Sequence, residues 1–484
     1  MDKIINALSE DGPIASAMSG FRARQQQQAM AVAVGRAISE RSVLVVEAGT
    51  GTGKTYAYLV PVLLQGGKVI ISTGTKTLQD QLFYRDLPEI QHALSSNAKL
   101  ALLKGRSNYL CHYRLQQTEN AARLDPSLST QIEQLNHWLR QTTSGDIAEC
   151  EQVPEDALIW SQVTSTVDNC LGNECPQFKE CFVVKARRAA QEADVVVINH
   201  HLFFIDLALK EEGFGEILPS ADAIIFDEAH QVTDVARMYF GESISSRQIT
   251  ELGKDVEKEC HNKADDEKSI LDYVRRMNEG VQAVKQSMGD AGQRAAWQQL
   301  ANADNIEALL QQLLQDLKQF IDAINPARER STGYERCYQR GIDIKIKLQQ
   351  FLQKKYIGGE QGATKVNDAV NRSEWVKWYE TYEHRFVLYS TPVAVADSFY
   401  AHVELSNSAW IFTSATLSVG KRFEHFTHQL GLHDAVTERW DSPFSYKDNT
   451  LLYIPDGLPL PNSADYIQQV VNMAVPVIKE VGGR

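Results

Sequence analysis

Short apolar runs alternate with amphipathic segments along the first hundred residues of the chain. Residues 43–46, 69–71 and 99–104 are mostly aliphatic and β-branched, a composition typical of strands that are buried on both faces of a sheet. Residues 56–64, between the first two runs, have the composition of a helix. This alternation predicts an α/β fold with a parallel sheet. Further apolar runs predict more strands at residues 194–199, 223–226 and 409–412.

A glycine-rich turn follows the first predicted strand. Residues 48–55 match the phosphate-loop pattern G-x-x-x-x-G-K-[ST], except that Ala48 occupies its first position. Glycines let backbone N–H groups converge on phosphate oxygens at the start of a helix. Lys54 is expected to bind the β- and γ-phosphates, and Thr55 to ligate Mg²⁺. The predicted ATP-binding residues of this turn are Gly49, Thr50, Gly51, Thr52, Gly53, Lys54 and Thr55.

The strand predicted at 223–226 ends in an acidic motif, Asp-Glu-Ala-His at 227–230. Adjacent carboxylates at a strand end are the Walker B arrangement. Asp227 is expected to hold the same Mg²⁺ as Thr55, and Glu228 to polarise the attacking water. With Lys54, these two acids are the predicted catalytic residues. His230 is expected to sense the γ-phosphate.

Two weaker signals accompany these motifs. The strand at 409–412 leads to Ser-Ala-Thr at 414–416, and the hydroxyls of Ser414 and Thr416 can couple the phosphate state to the rest of the protein. A run of glutamines at 25–28 precedes the phosphate loop. One of them can bind the adenine edge with a neighbouring arginine, but a plain polar helix start explains the run equally well.

The strand–helix alternation is interrupted for about 80 residues before the strand at 194–199, far more than an ordinary α/β loop. This segment contains Cys170, Cys175 and Cys181, and Cys111 lies well upstream. Structural zinc prefers shorter paired spacings, whereas four thiolates also suit an iron–sulfur cluster. Four unrelated buried thiols are the third interpretation, and Cys150 is an alternative ligand. The remaining two stand in helical sequence and are predicted to be ordinary thiols: Cys260 and Cys337.

A second interruption runs from about residue 232 to 387. Helical periodicity, for example at 306–322, and mixed charges predict a helical insertion that stands off the sheet. Aromatic and basic residues at 375–379 suit base stacking, although packing within the insertion explains them better.

Composition restricts the class of protein. A net charge of −13 argues against nucleic-acid binding by bulk charge, but it leaves room for a local basic groove. No apolar run approaches the roughly 20 residues needed to cross a bilayer, and the polar, acidic segment 1–13 is no signal peptide. Seven cysteines in such a chain favour a metal site or buried thiols over disulfides.

Taken in order, these motifs resemble those of the iron–sulfur DNA helicases of superfamily 2, the family that includes XPD and DinG. The resemblance covers essentially the whole chain. It rests on residues 48–55, 227–230 and 414–416, on Cys111, Cys170, Cys175 and Cys181, and on the segments 103–111, 199–202 and 442–444.

The resemblance implies ATP-driven 5′→3′ unwinding by a RecA-like P-loop domain that carries two insertions. The four cysteines would bind a 4Fe–4S cluster in the first insertion, and the second would form a helical arch above threaded DNA. Arg24 and Gln27 would form a Q-like motif that binds adenine. The implied cofactors are ATP, Mg²⁺ and the 4Fe–4S cluster. The implied partners are single-stranded or forked DNA and replication or repair proteins of the bacterial cytoplasm.

The implied domain plan gives the first RecA-like domain three separate parts and ends with the start of a second RecA-like domain. Its segments are 1–108, 184–232 and 388–436 for the first domain, 109–183 for the cluster domain, 233–387 for the arch, and 437–484 for the second domain.

Contacts with DNA are predicted from basic and aromatic residues near the cysteines in sequence. Each of them is equally explained as an ordinary surface charge. The candidates are Lys104, Arg106, Tyr109, Lys179, Lys185, Arg187 and Arg188.

The sequence after 451–454, a predicted opening strand of the second RecA-like domain, is shorter than a typical domain and has no later arginine motif. We therefore expect an N-terminal portion of a helicase that binds nucleotide and hydrolyses it poorly. Two other functions stay open: an RNA-directed remodeller, because Asp-Glu-Ala-His also marks RNA motors, and a binding protein without motor activity.

Overall fold

The computed structural model describes residues 1–122, 126–166, 169–211, 217–261, 268–300, 303–353, 375–392, 395–450, 452–461, 463 and 465–482. Two compact units divide the chain, Met1–Asp441 and Ser442–Arg484. None of the helices in this described part combines the length and the apolar character needed to cross a bilayer.

Strands and helices alternate in the first unit as an α/β fold requires. The described strands are β1 (Val43–Ala48), β2 (Val69–Thr73), β3 (Leu100–Leu102), β4 (Val195–Asn199), β5 (Ala223–Asp227), β6 (Glu242–Ser245), β7 (Arg294–Ala296), β8 (Trp375–Thr381), β9 (Phe386–Pro392), β10 (Ala409–Ser414) and β11 (Val436–Trp440). The described α-helices are α1 (Asp2–Ala7), α2 (Pro13–Ala17), α3 (Gln25–Glu40), α4 (Lys54–Gln65), α5 (Lys76–Gln81), α6 (Leu87–Ala93), α7 (His112–Ala122), α8 (Pro126–Leu139), α9 (Trp160–Val163), α10 (Phe182–Glu192), α11 (His200–Glu211), α12 (Val232–Tyr239), α13 (Ser246–His261), α14 (Lys268–Ser287), α15 (Ala303–Ile324), α16 (Thr332–Gln353), α17 (Ala396–Leu405), α18 (Glu424–Gln429), α19 (Tyr446–Asn449) and α20 (Tyr466–Glu480).

A parallel sheet with the strand order β11-β1-β10-β5-β2-β4-β3 forms the centre of the first unit. Its central strands are mostly apolar and buried because helices cover both faces, whereas the edge strand β11 is largely exposed. On β1, Leu44 and Val46 pack on one side with α3 and α4, while Val45 belongs to the core on the other side. The predicted parallel α/β core is therefore confirmed.

Two segments leave this sheet and build cores of their own. Between β3 and β4, helices α7–α9 pack around Trp138 and Trp160. Between β5 and β10, helices α13–α16 pack with β6–β9, an antiparallel sheet in the order β6-β9-β8-β7. The predicted helical insertion thus also contains an antiparallel sheet, which the periodicity did not indicate because short strands such as β7 leave little trace in it.

The predicted start of the second RecA-like domain also differs from the structure. β11 pairs with β1, so a boundary at residue 437 would cut through a strand of the first sheet, and the compact unit ends at Asp441. Leu451 lies outside the described residues, and residues 452–454 form no strand. The second unit contains α19 and α20, and α20 has no buried residue.

Candidate nucleotide-binding site

The predicted phosphate loop is a compact turn at 49–53 that connects β1 to α4. Gly51 and Gly53 have φ angles of +82° and +83°, in the left-handed region that glycine adopts readily. Thr52 is fully buried, and its hydroxyl donates a hydrogen bond to the carbonyl oxygen of Gly49 at 2.7 Å. The turn thus has a shape in which backbone N–H groups at the start of α4 can face a phosphate.

Arg24 and Gln27, the predicted adenine-binding pair, border this turn. Gln27 is buried in the first turn of α3, and its side-chain amide donates a hydrogen bond to the Gly53 carbonyl oxygen at 3.1 Å. A Cβ atom at Gly53 would clash with that amide and would lie 3.9 Å from Nη1 of Arg24. The pair is therefore next to the loop, and its contact with adenine stays a prediction.

The phosphate loop and the acidic motif meet at Tyr58, to which sequence reasoning gave no role. Tyr58 is fully buried on α4, and its hydroxyl donates a hydrogen bond to Oδ2 of Asp227 at 3.0 Å. The Thr55 side chain interacts with the same hydroxyl. Lys54 lies near enough for its charge to act on Asp227. The two predicted Mg²⁺ ligands, Thr55 and Asp227, are therefore joined through one tyrosine.

Burial and the adjacent charge of Glu228 raise the pKa of Asp227 to about 6. The hydrogen bond from Tyr58 and the charge of Lys54 act in the opposite direction. The carboxylate is mostly ionised at neutral pH, but its charge is unfavourable in these surroundings. A divalent cation at this position would offset that charge.

Glu228, His230, Ser414 and Thr416 form one polar network at the carboxyl ends of β5 and β10. His230 Nδ1 lies 2.9 Å from the Ser414 hydroxyl and 3.4 Å from Oε2 of Glu228. The Thr416 N–H donates a hydrogen bond to the Ser414 hydroxyl at 3.4 Å. Glu228 itself has a φ of +55°, unusual for a residue other than glycine and frequent at functional sites. His230 and Ser414 thus contact Glu228, and Thr416 contacts Ser414.

A buried histidine, also without a predicted role, lies behind the acidic motif. His200 is fully buried at the start of α11, and its Nδ1 lies 2.7 Å from the Ser72 hydroxyl at the end of β2. Its ring is 5.8 Å from that of Phe226, the residue before Asp227. Burial lowers the pKa of His200 to about 3, so the ring is neutral at every pH where the protein would work. The Ser72–His200 hydrogen bond therefore connects β2 to the start of α11, next to Phe226 and the acidic motif.

The four predicted cluster cysteines approach one another. Cys170, Cys175 and Cys181 lie on one loop, and Cys111 directly precedes α7. All four are half-buried. Burial, and then the charges of the other three thiols, raise the pKa of Cys111 to about 11. The Gly172 N–H also donates a hydrogen bond to Sγ of Cys170 at 3.5 Å.

Within the residues that the structure describes, no group of three or more His, Cys, Asp or Glu side chains is arranged to hold a single metal ion. The other cysteines lie elsewhere. Cys150 is buried and donates to Oε1 of Gln152 at 3.6 Å. Cys260 and Cys337 belong to the core of α13–α16, where burial raises the pKa of Cys337 to about 12.

The predicted DNA contacts divide into two groups. Lys104 is buried, with its Nζ 2.7 Å from carboxylate oxygens of both Asp80 and Asp146. Tyr109 is buried as well, and its hydroxyl accepts a hydrogen bond from the Lys104 N–H at 3.0 Å. These two candidates are excluded because neither side chain reaches the surface. The others are at least partly exposed: Arg106, Lys179, Lys185, Arg187 and Arg188.

Two models of protein families match the sequence of this chain. The family model described as DEAD/DEAH box helicase matches residues 23–125, and the model DEAD_2 matches residues 75–249. The first match contains the phosphate loop and the second the acidic motif, so both motifs lie in stretches that are similar to P-loop helicases of the DEAD/DEAH-box type. A structure titled XPD_Helicase aligns with a TM-score of 0.45 at 13% identity, over 94% of this chain and 70% of that chain.

Several relatives specify the family. The ATP-dependent DNA helicase YoaA of Haemophilus influenzae is 41% identical over 485 residues, which cover 100% of this chain and 73% of the relative. YoaA of Escherichia coli is 42% identical over 98% of this chain and 72% of its own length. The ATP-dependent helicase DinG of Mycobacterium tuberculosis is 30% identical over 97% of this chain and 72% of its own length. The chain belongs to this YoaA/DinG family of ATP-dependent DNA helicases.

Proposed function

We propose that the chain binds Mg²⁺–ATP at the carboxyl edge of the parallel sheet and uses its hydrolysis to move along single-stranded DNA in the 5′→3′ direction. The proposal depends on one observation above all: Tyr58 links the helix that begins at Lys54 to Asp227 at the end of β5. The phosphate loop and the acidic pair, far apart in sequence, thus share one site. The relatives are bacterial DNA helicases, so we place this activity in the bacterial cytoplasm, in replication or repair.

Each residue of the site has a defined part in this mechanism. The amides of the turn at 49–53 and the Lys54 ammonium would bind the phosphates, while Thr55 and Asp227 would hold Mg²⁺. Glu228 is the group positioned to polarise the attacking water, since it is next to Asp227 and contacts His230. His230 and Ser414 would report loss of the γ-phosphate to β10 and the loop after it.

The four gathered thiols suit a 4Fe–4S cluster in the segment between β3 and β4. Cys181 is the N-cap of α10 and Cys111 directly precedes α7, so two of the four cysteines stand at the starts of helices. Cys111 interacts electrostatically with Cys170, Cys175 and Cys181, as expected of four ligands that share one cluster. When bound, the cluster would hold this segment rigid, and the second insertion would act as the arch beside the DNA.

Unwinding assays with labelled duplexes test the proposal. Duplex opening with ATP should require a 5′ single-stranded tail rather than a 3′ tail, and the poor hydrolysis expected of this chain predicts that the opening is slow. The Glu228→Gln variant should bind a fluorescent ATP analogue with unchanged affinity and should lose ATP turnover by about 10²-fold or more. Preference for a tailed RNA duplex would instead favour the RNA-directed alternative. Failure to bind nucleotide would contradict the proposal.

A further inference from the structure

Glu47, the penultimate residue of β1, makes several contacts that no sequence motif predicts. Its Oε2 accepts hydrogen bonds from the N–H groups of Leu417 and Ser418, both at 2.6 Å. Its Oε1 accepts from the Ser418 hydroxyl at 2.9 Å and lies 3.1 Å from Nε of Arg439. The residue is only 8% exposed, so it is a buried carboxylate with four donors.

These donors come from two segments near the nucleotide site, the loop after β10 and strand β11. Leu417 and Ser418 lie in the loop after β10, so Glu47 holds the loop that follows Ser414, whose hydroxyl contacts His230. The strand register also pairs Glu47 with Ser414 of β10 on one side and with Arg439 of β11 on the other.

β11 is connected to the phosphate loop a second time. The Gly49 N–H, the first of the turn, donates a hydrogen bond to the carbonyl oxygen of Trp440 at 3.0 Å. Arg439 also pairs with Asp441, the last residue of the first compact unit, at 3.1 Å. A shift of the turn therefore acts on both β11 and the loop at 417–418.

We infer that Glu47 is a positioning residue that transmits nucleotide binding from the phosphate loop to the loop at 415–418 and to β11. The inference rests on the proposed function, and it deepens it by naming the route from the phosphates to the loop at 415–418 and to β11. Loss of Arg439 would leave the buried Glu47 charge without its counter-ion, and loss of a neutral donor would leave a carboxylate oxygen with one hydrogen bond fewer. Both changes are unfavourable, so Glu47 couples the segments that it joins.

Hydrogen–deuterium exchange with mass spectrometry tests this route in the full chain, with and without a non-hydrolysable Mg²⁺–ATP analogue. In the wild type, the analogue should slow exchange at 49–55 and also change it at 415–418 and 436–440. Glu47→Gln keeps the side-chain volume and removes the charge that pairs with Arg439. Arg439→Gln leaves Glu47 its three neutral donors and provides a second variant that tests the pair from the other side. Glu438→Gln, a charge-neutralising change one position away on β11, is the matched control.

In both Glu47→Gln and Arg439→Gln, the effect of the analogue at 49–55 should persist, and its affinity should change by no more than about threefold. The response at 415–418 and 436–440 should fall by about fivefold or more, whereas Glu438→Gln should behave as the wild type. A purely structural role would speed exchange at these segments equally with and without the analogue. That result, or an unchanged response in both variants, would overturn the inference alone. Absence of protection at 49–55 in the wild type would overturn the proposed function and the inference with it.

Discussion

The hydroxyl of Tyr58 donates its hydrogen bond to Asp227 across 169 residues of sequence, at a distance of 3.0 Å. This bond stabilises the ionised carboxylate and so lowers the pKa of Asp227. In the Tyr58→Phe variant that pKa should rise above its present value of about 6, and protons should compete with Mg²⁺ at neutral pH. We expect Mg²⁺-dependent affinity for a fluorescent ATP analogue to fall about three- to tenfold at pH 7 and to recover at pH 8.

Tyr56→Phe provides the control for this variant. Tyr56 lies on the same helix but donates its hydroxyl to Glu89, at 3.2 Å. Its loss should leave the Mg²⁺ titration unchanged at both pH values. Equal losses in the two variants would show that α4 is merely perturbed.

Neutralising Asp227 should stabilise the protein while abolishing Mg²⁺-dependent binding. Its pKa is raised from 3.8 to about 6 in the folded state, so the fold holds the proton more tightly than the unfolded chain does. Stability is therefore lost as the pH rises from about 4 through about 6, and the ionised form destabilises the fold at pH 7 by roughly 1–3 kcal/mol. Asp227→Asn should raise Tm at pH 7 and change it little at pH 4. Thermal unfolding of Asp234→Asn, an exposed acid on α12, should show neither effect, and equal gains at both pH values would contradict the assignment.

Because Gln27 contacts Gly53, an alanine substitution should destabilise the protein more at Gly53 than at Gly66. Gly53 and Gly66 flank α4 and have φ angles of +83° and +72°, but only at Gly53 would a Cβ meet a neighbour within 4 Å, namely Gln27 and Arg24. Gly66→Ala should lower the free energy of unfolding by about 1 kcal/mol through backbone strain alone. Gly53→Ala should lower it further and weaken nucleotide binding about tenfold or more.

A Gln27→Ala substitution added to Gly53→Ala should recover part of the lost stability. It removes the amide that the new methyl group would strike. Denaturant unfolding of the single and double variants measures this coupling. Strictly additive effects would mean that the two side chains do not interact.

Local patterns in the sequence were enough to predict the phosphate loop and the strand before Asp227. The loop is a continuous glycine-rich motif at 48–55, and the strand is a continuous apolar run at 223–226, so neither depends on distant residues. Tyr58 and Glu47 could not be predicted in the same way, because their partners Asp227 and Leu417 come from distant segments. A tyrosine in an apolar helix and a glutamate at a strand end are ordinary features until the tertiary contact is known.

Lys104 shows the converse error. A lysine near a cysteine and an arginine suggests a basic surface, yet the fold buries it between Asp80 and Asp146. Strand β11 was missed for a related reason. Its edge position leaves Val436 exposed, so the strand lacks the apolar run that marks the central strands.

The remaining basic candidates should affect DNA binding by charge. Lys179 and Arg188 are exposed, while Arg187 is partly buried, and that burial, together with the charge of Arg106, lowers its pKa. Charge reversal of Lys179 and Arg188 should weaken binding of single-stranded DNA and reduce the salt slope by about 0.7 for each lost phosphate contact. Fluorescence anisotropy at several salt concentrations measures both quantities. Lys318→Glu, an exposed lysine on α15, is the matched control, and equal losses in the control would indicate a general charge effect.

The colour and iron content of cysteine variants distinguish a 4Fe–4S cluster from ordinary thiols. Cys175 interacts electrostatically with Cys170 and Cys181, whereas Cys150 is buried against Gln152. Protein purified without oxygen should be brown, with broad visible absorbance from charge transfer between thiolate and iron, and should contain iron and acid-labile sulfide. Cys175→Ser should lose the colour and most of the iron, and Cys150→Ser should keep both. Colourless protein with bound zinc would contradict the cluster. Loss of iron in Cys150→Ser but not in Cys175→Ser would show that Cys150, and not Cys175, is the ligand.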